Sequence, residues 1–253
     1  MKRSSKLRNF NKTVNISAAN ITSMNFSKVN FNDLVDVVEL KWSICPESFS
    51  KMIQIAKQDD DVVISKWNTY IYDTQSFELN KNKVVLRVRE YESYFRSSLK
   101  QIFTLDKYNN KSIRNSVNSF DCQGDYTGNR ESIGCSIVNT EKNIQNVFSE
   151  EQKNVLKNLV NLSVTNLKAF GPTKTTRITF KKKSIHDEKL VVEIYETRTG
   201  VTFVELSTRN KSNNFLEVYK LISHWLLKNQ INVCPVSKSK PQLIMEEELK
   251  FLN

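Results

Sequence analysis

Four short stretches place charged or polar side chains two residues apart: Glu39 with Lys41, Arg87 with Arg89, Arg177 with Thr179 and Lys181, and Glu205 with Ser207. In a strand, residues i and i+2 share a face, so each stretch makes one polar face with an apolar face behind it. On an open antiparallel sheet the polar face would be solvated. In a closed sheet the same groups would converge on an interior, where charge is tolerated only when paired or metal-bound. Such an interior calls for an anionic ligand bridged by a divalent cation. Carboxylate oxygens suit Mg2+ or Mn2+, and Lys and Arg suit polyphosphate. Periodicity alone leaves the open and closed arrangements equally available.

Composition removes other chemistries. The chain has 253 residues and five glycines, none in a G-x-G-x-x-G or Walker arrangement, so both glycine-rich phosphate cradles are excluded. His186 and His224 are its two histidines, too few for a multi-histidine metal centre. Cys45, Cys122, Cys135 and Cys234 form no C-x-x-C, which argues against zinc ribbons and redox motifs and predicts reduced thiols in an intracellular protein. The 38 Lys and Arg against 27 Asp and Glu give a net charge of +11, in keeping with an anionic partner. No run approaches the ~18 to 20 apolar residues of a membrane span.

Three regions are expected. Residues 1–32 carry Lys2, Arg3, Lys6, Arg8, Lys12 and Lys28 with no acid before Asp33, which reads as a disordered basic tail or an organelle-targeting segment. The location expected is cytoplasmic, or mitochondrial if residues 1–32 are a transit peptide. The main domain spans 33–245, and 246–253 form a C-terminal tail. Strands are predicted over 35–42, 62–72, 83–90, 101–108, 175–182, 189–197 and 201–208. Helices are predicted from Pro46, from a cap at Ser149 and over 214–228, and a long polar loop over 109–129. Glu246-x-Glu248-x-Lys250 reads as a solvated terminal helix, and Trp42, Trp67 and Trp225 as core.

The order of these pieces, VELKW, YDT, LRVR, a helix, K-T-T-R and FVEL, resembles the CYTH family of triphosphate tunnel metalloenzymes, closest to its thiamine-triphosphatase branch. The likeness runs from about residue 35 to 245. It implies an α+β fold built on a closed eight-stranded antiparallel β-barrel with flanking helices, whose tunnel binds triphosphate. By resemblance, Glu39 and Glu205 are metal ligands assisted by Glu196, and Lys41 is a catalytic lysine. Arg87, Arg89, Lys107 (or, second, Lys100), Arg130, Lys174, Arg177 and Lys240 (or Lys238) bind substrate. The chain departs from the family twice: the E-x-E-x-K of the first strand reads Val37-x-Glu39-x-Lys41, and the late E-x-E reads Glu205-x-Ser207.

The function this implies is hydrolysis of a triphosphate, thiamine triphosphate or inorganic triphosphate, by water attack on the terminal phosphoryl group with Mg2+ or Mn2+ as cofactor. The alternatives are an RNA triphosphatase and a catalytically impaired module that binds polyphosphate, nucleotide or the 5′-triphosphate of RNA. The missing carboxylates at Val37 and Ser207 favour the binding module. A triphosphate-bearing small molecule is the expected partner, with RNA as a second ligand class.

Overall fold

The structure, a computed structural model, describes residue 31 and residues 33–252 except 60, 110, 112–116, 118, 129, 183–184, 186–187 and 236–237. The basic segment 1–32 falls, but for Phe31, outside the described residues.

The strands are β1 (Val37–Ser43), β2 (Val63–Asp73), β3 (Val84–Glu90), β4 (Phe95–Phe103), β5 (Asp121–Tyr126), β6 (Glu131–Glu141), β7 (Lys168–Lys182), β8 (Glu188–Glu196) and β9 (Thr202–Lys211). They close into a barrel in the order β1-β5-β6-β4-β3-β2-β7-β8-β9, and β9 returns to β1. Every neighbouring pair is antiparallel except β1 with β5. A ring with an odd number of strands cannot alternate direction all the way round, so one parallel seam is unavoidable.

The barrel-plus-helices class agrees with the sequence expectation, whereas the barrel has nine strands rather than eight. β5 lies in the stretch read as loop, because Asp-Cys-Gln-Gly-Asp-Tyr lacks the β-branched residues that mark a strand. Pairing on both sides, with β1 and β6, supplies what its propensity does not. The strand expected over 101–108 instead starts at Phe95 and stops at Phe103. Thr104 then serves as N-cap of a helical turn.

The helices among the described residues are α1 (Phe49–Lys57), α2 (Glu78–Lys81), α3 (Leu105–Tyr108), α4 (Glu150–Val160), α5 (Phe215–Lys228) and α6 (Lys240–Leu252). α1 to α5 pack on the outside of the barrel, with the main apolar core between barrel and helices, and α6 sits against the inward-facing Ile71 and Tyr195. Val38, Leu40 and Trp42 of β1, with Ile178, Phe180, Val192 and Leu206, meet Met52 of α1 and Val218, Tyr219 and Ile222 of α5. Trp42 stacks on Tyr219 with ring centroids 4.8 Å apart. A second layer joins Leu79 of α2 and Leu156 of α4 to Leu86 and Leu99. The apolar faces of β1, β3, β8 and β9 thus point outward, and their polar faces are left for the interior, whereas β2 turns Trp67 and Ile71 inward.

The four cysteines are paired, Cys45 with Cys234 and Cys122 with Cys135, which corrects the expectation of reduced thiols. Spacing along the chain could not reveal this. Register places Cys122 opposite Cys135, and the Ile44–Val233 bridge brings Cys45 beside Cys234. The Cys45–Cys234 link closes a separation of 189 residues. Reduction is therefore expected to lower stability by about 4–5 kcal/mol, on the chain-entropy argument for a long loop. The guanidinium midpoint with and without dithiothreitol measures this, and an unchanged midpoint would contradict it.

The C-terminal segment is one helix across residue 245. Its Glu248 is fully buried rather than solvated and accepts a hydrogen bond from Arg198 Nε at 2.7 Å. Thr199 Oγ1 donates to Glu247 at 2.9 Å. Ile244 and Met245 pack on Ile71, Phe170 and Tyr195. These contacts dock α6 on the barrel at the β8–β9 turn.

Candidate functional site

Register fixes which side chains share the interior. Thr69 and Ile71 lie opposite Arg89 and Arg87, and Arg87 lies opposite Ser98. Trp67 and Ser65 oppose Thr175 and Arg177, and Arg177 opposes Glu193. Glu193 opposes Glu205, while Lys41 opposes Ser207 and Glu39 opposes both Arg209 and Asp125. With the period of two, this gathers Glu39, Lys41, Arg87, Arg89, Lys100, Asp125, Arg177, Glu193, Tyr195 and Glu205 around one lumen.

On one wall Lys41 Nζ lies 2.8 Å from Glu39 and 2.5 Å from Asp125, and Lys100 Nζ lies 2.5 Å from the other Asp125 oxygen. Gln123 Nε2 donates to Glu39 at 3.0 Å. Lys100 can cross to Asp125 because residue 134 has no side chain: a Cβ there would fall on Lys100 Cε. On the adjoining β8–β9 strands Lys240 Nζ, delivered by the first residue of α6, lies 2.8 Å from Glu205, 3.4 Å from Glu193 and 2.9 Å from the Tyr195 hydroxyl. Tyr195 in turn donates to Glu193.

Burial opposes the charges of Glu39, Lys41, Glu193 and Lys240, and at these four the partners outweigh it. Burial would raise the Glu39 carboxyl, but Lys41 overrides it and holds the group well below the carboxylate range. Burial would lower the ammonium groups of Lys41 and Lys240, yet Asp125 and Glu39 around the first, and Glu205, Tyr195 and Glu193 around the second, hold both well above the ordinary lysine value. For Glu193 burial is likewise outweighed, by Lys240 and Arg89, and its pKa falls from 4.5 to about 2. A carboxylate with a depressed folded pKa contributes stability that is full above pH about 4.5 and lost as pH falls towards about 2. The urea midpoint is therefore expected to drop across that window, and to drop less in Glu193→Gln. Equal slopes in the two proteins would contradict the pairing.

The arginines differ from the lysines. Among the described residues no carboxylate lies within ion-pairing distance of Arg87, Arg89 or Arg177. The Nε atoms of Arg87 and Arg177 are buried without a hydrogen-bond partner. Burial, and then the neighbouring Arg89, pull the Arg87 pKa from 12.5 down to about 10. Arg89 lies over the Trp67 ring, 5.3 Å from its centroid. Trp67 is held by its indole N–H on Thr69 at 3.0 Å, and Thr69 meets Thr175 at 2.8 Å.

Of the residues predicted from sequence, Glu39, Lys41, Arg87, Arg89, Arg177, Glu205 and Lys240 line the lumen. Lys238 lies instead on Glu246, at 2.7 Å. Lys107 is exposed on α3, because the strand ends before it, and Lys100 of β4 holds the lumen position. Arg130 is exposed ahead of β6. Lys174 and Glu196 face outward as a cross-strand pair, one residue out of phase with Thr175 and Tyr195. Glu193 is the inward acid of β8.

Asp125, Glu193, Tyr195 and Trp67 were missed as site residues. The three residues 198–200 between the two predicted strands carried a signal for Glu193, since counting back from them sets Glu193 opposite Glu205. Asp125, in a strand without strand propensity, carried none.

The donor set expected for a divalent cation does not fit one. Glu196 is outside, and the positions two residues from Glu39 and Glu205 are Val37 and Ser207. The inward carboxylate oxygens face lysine ammonium groups. Among the described residues no group of three or more His, Cys, Asp and Glu side chains is placed to hold a metal.

No family model matches the chain, and no curated protein sequence matches it. Its fold does match solved structures. One is the candidate adenylyl cyclase HpAC1 of Hippeastrum, described as having a dominant triphosphatase activity. Its TM-score is 0.55 at 13% identity, over 84% of this chain and 96% of that one. Another is a candidate adenylate cyclase of Bacillus halodurans, with a TM-score of 0.54 at 18% identity, over 82% and 96% of the two chains. At these identities the likeness establishes the shared fold.

Proposed function

We propose that the lumen binds the triphosphate of a small molecule and that the chain hydrolyses its terminal phosphoanhydride. The observation that carries this reading is the pair of inward arginines, Arg87 and Arg177, whose buried Nε–H donors have no partner. A buried donor of a cationic group without a hydrogen-bond partner or ion pair is costly, so a lumen that keeps two of them, beside Arg89, is arranged for an anion that enters it. Phosphate oxygens match the forked donors of arginine, and a chain of three phosphates can reach several of them at once. The triphosphatase activity described for HpAC1, which shares the fold, points the same way.

Phosphoryl transfer rests mainly on positioning and charge stabilisation, so neither histidine nor cysteine is required. In this reading Arg87, Arg89 and Arg177 hold the phosphate chain and neutralise the charge that spreads over its oxygens. Lys41 and Lys100 add positive potential from the Asp125 wall. A water oxygen attacks the terminal phosphorus in line, the anhydride P–O bond breaks, and the diphosphate leaves with the bridging oxygen. Capture without turnover is a second reading, favoured by Val37 and Ser207, where carboxylates would stand in a complete site.

Isothermal titration with tripolyphosphate tests binding. Phosphate release from tripolyphosphate, thiamine triphosphate and triphosphate-ended RNA, each with EDTA, Mg2+ or Mn2+, tests turnover against Lys41→Ala. Binding with turnover supports hydrolysis, and binding without it supports capture. A protein that binds none of the three overturns both readings. Gly134→Ala is expected to weaken tripolyphosphate binding by displacing Lys100, with little effect on the thermal midpoint, because the displaced atoms end a flexible side chain. Affinity equal to that of the wild type would contradict this.

A further inference from the structure

Two carboxylates that face each other across β8 and β9, Glu193 and Glu205, converge on one positive centre, Lys240 Nζ, at 3.4 and 2.8 Å. On the adjoining strands Glu39 and Asp125, opposite each other across the β1–β5 seam, converge in the same way on Lys41 Nζ at 2.8 and 2.5 Å. Paired carboxylates from adjacent strands around a single cation are the arrangement in which oxygen ligands hold Mg2+ or Mn2+. Here the cation belongs to the chain.

We infer that the Lys240 ammonium stands where a divalent cation would, so that this lumen receives its anion without a metal ion. Three observations bear on this. α6 is docked firmly enough to keep its first residue in the lumen, through the buried Glu248 on Arg198, Thr199 on Glu247, and Ile244 and Met245 against Ile71 and Tyr195. The Tyr195 hydroxyl takes a further hydrogen bond from Lys240 at 2.9 Å, leaving the ammonium three oxygen partners, which suits its three N–H donors. Ser207 and Val37 stand at lumen-facing positions where further carboxylates would have strengthened a metal site, and neither supplies an anionic oxygen. With the lysines matched to the acids, the three arginines remain to meet phosphate.

The inference deepens the triphosphate reading and rests on it for the identity of the anion, but its first test needs no triphosphate. Mn2+ is titrated into the full chain and followed by electron paramagnetic resonance. The wild type is expected to show no saturable site, Lys240→Ala to gain one, and Lys240→Ala/Glu205→Gln to lose it again, with circular dichroism checking the fold of each. Saturable Mn2+ binding by the wild type that Glu205→Gln removes overturns the inference. So does a folded Lys240→Ala protein as indifferent to Mn2+ as the wild type.

Should Lys240→Ala not fold, the wild-type titration decides alone. In a second arm, tripolyphosphate is titrated in EDTA. One-to-one binding supports the inference, and binding only after Mg2+ is added overturns it. Absence of binding with or without Mg2+ refutes the triphosphate reading, and the Mn2+ result still decides the role of Lys240.

Discussion

Replacing Arg87 or Arg177 by alanine is expected to weaken tripolyphosphate binding by about ten- to a hundredfold, the equivalent of one charge-assisted contact of about 1.5–3 kcal/mol. The same substitutions are expected to raise the thermal midpoint of the ligand-free protein. The two effects share a cause. Arg87 sits between Ile71 and Ser98, and Arg177 lies opposite a Glu193 already engaged by Lys240. Neither Nε–H has a partner within the protein. Burial and then Arg89 already pull the Arg87 guanidinium down to about 10, more than Tyr195, Glu193 and Glu39 restore in the free fold. Removing such a group relieves the unliganded state and deprives the liganded one. Calorimetric titration and a thermal melt of each variant check both signs. A variant that binds normally, or one that is destabilised, would show that the guanidinium serves the fold instead.

Lys41→Ala is expected to act in the opposite direction on stability, by about 3–5 kcal/mol, because it strands the buried carboxylates of Glu39 and Asp125. Lys100 still reaches Asp125, but Glu39 keeps only Gln123 at 3.0 Å and the outlying Arg209 at 3.6 Å. The unpaired negative charge also faces the incoming phosphate chain, so turnover should vanish along with affinity. Lys41→Ala/Glu39→Gln provides the control. It removes the stranded charge and is expected to recover most of the stability but not the activity. Equal melting of the single and double variants would mean that Lys41 contributes packing rather than charge.

What could be read from the sequence follows from periodicity. Arg87 and Arg89, Arg177, Glu39 with Lys41, and Glu205 sit in runs rich in valine, isoleucine and leucine, where alternation names both the strand and its polar face. Lys107 shows where this fails. Thr104 and Asp106 carry the signature of a helix start, and a strand drawn through them takes a surface lysine for a lumen one. Glu196 and Lys174 show a subtler limit: the resemblance assigns them to the site, but alternation from Arg177 puts Lys174, and Glu196 opposite it, on the other face. Asp125 and the β5 strand were out of reach, since partners remote in sequence rather than local preference make that segment extended.

The seam between β1 and β5 bears on the order of assembly during synthesis. β1 finds its neighbours at residues 121–126 on one side and 202–211 on the other, so the first of the described strands is among the last to be enclosed. Until β9 leaves the ribosome, the growing chain is an unsealed ribbon that exposes β1 along one edge, with its arginine-rich inner surface open to any polyanion nearby. Such long-range closure is slow and leaves edges free to mispair. Ribosome-bound chains ending before residue 202 should accordingly stay protease-sensitive at β1, and only chains reaching past 211 should acquire resistance.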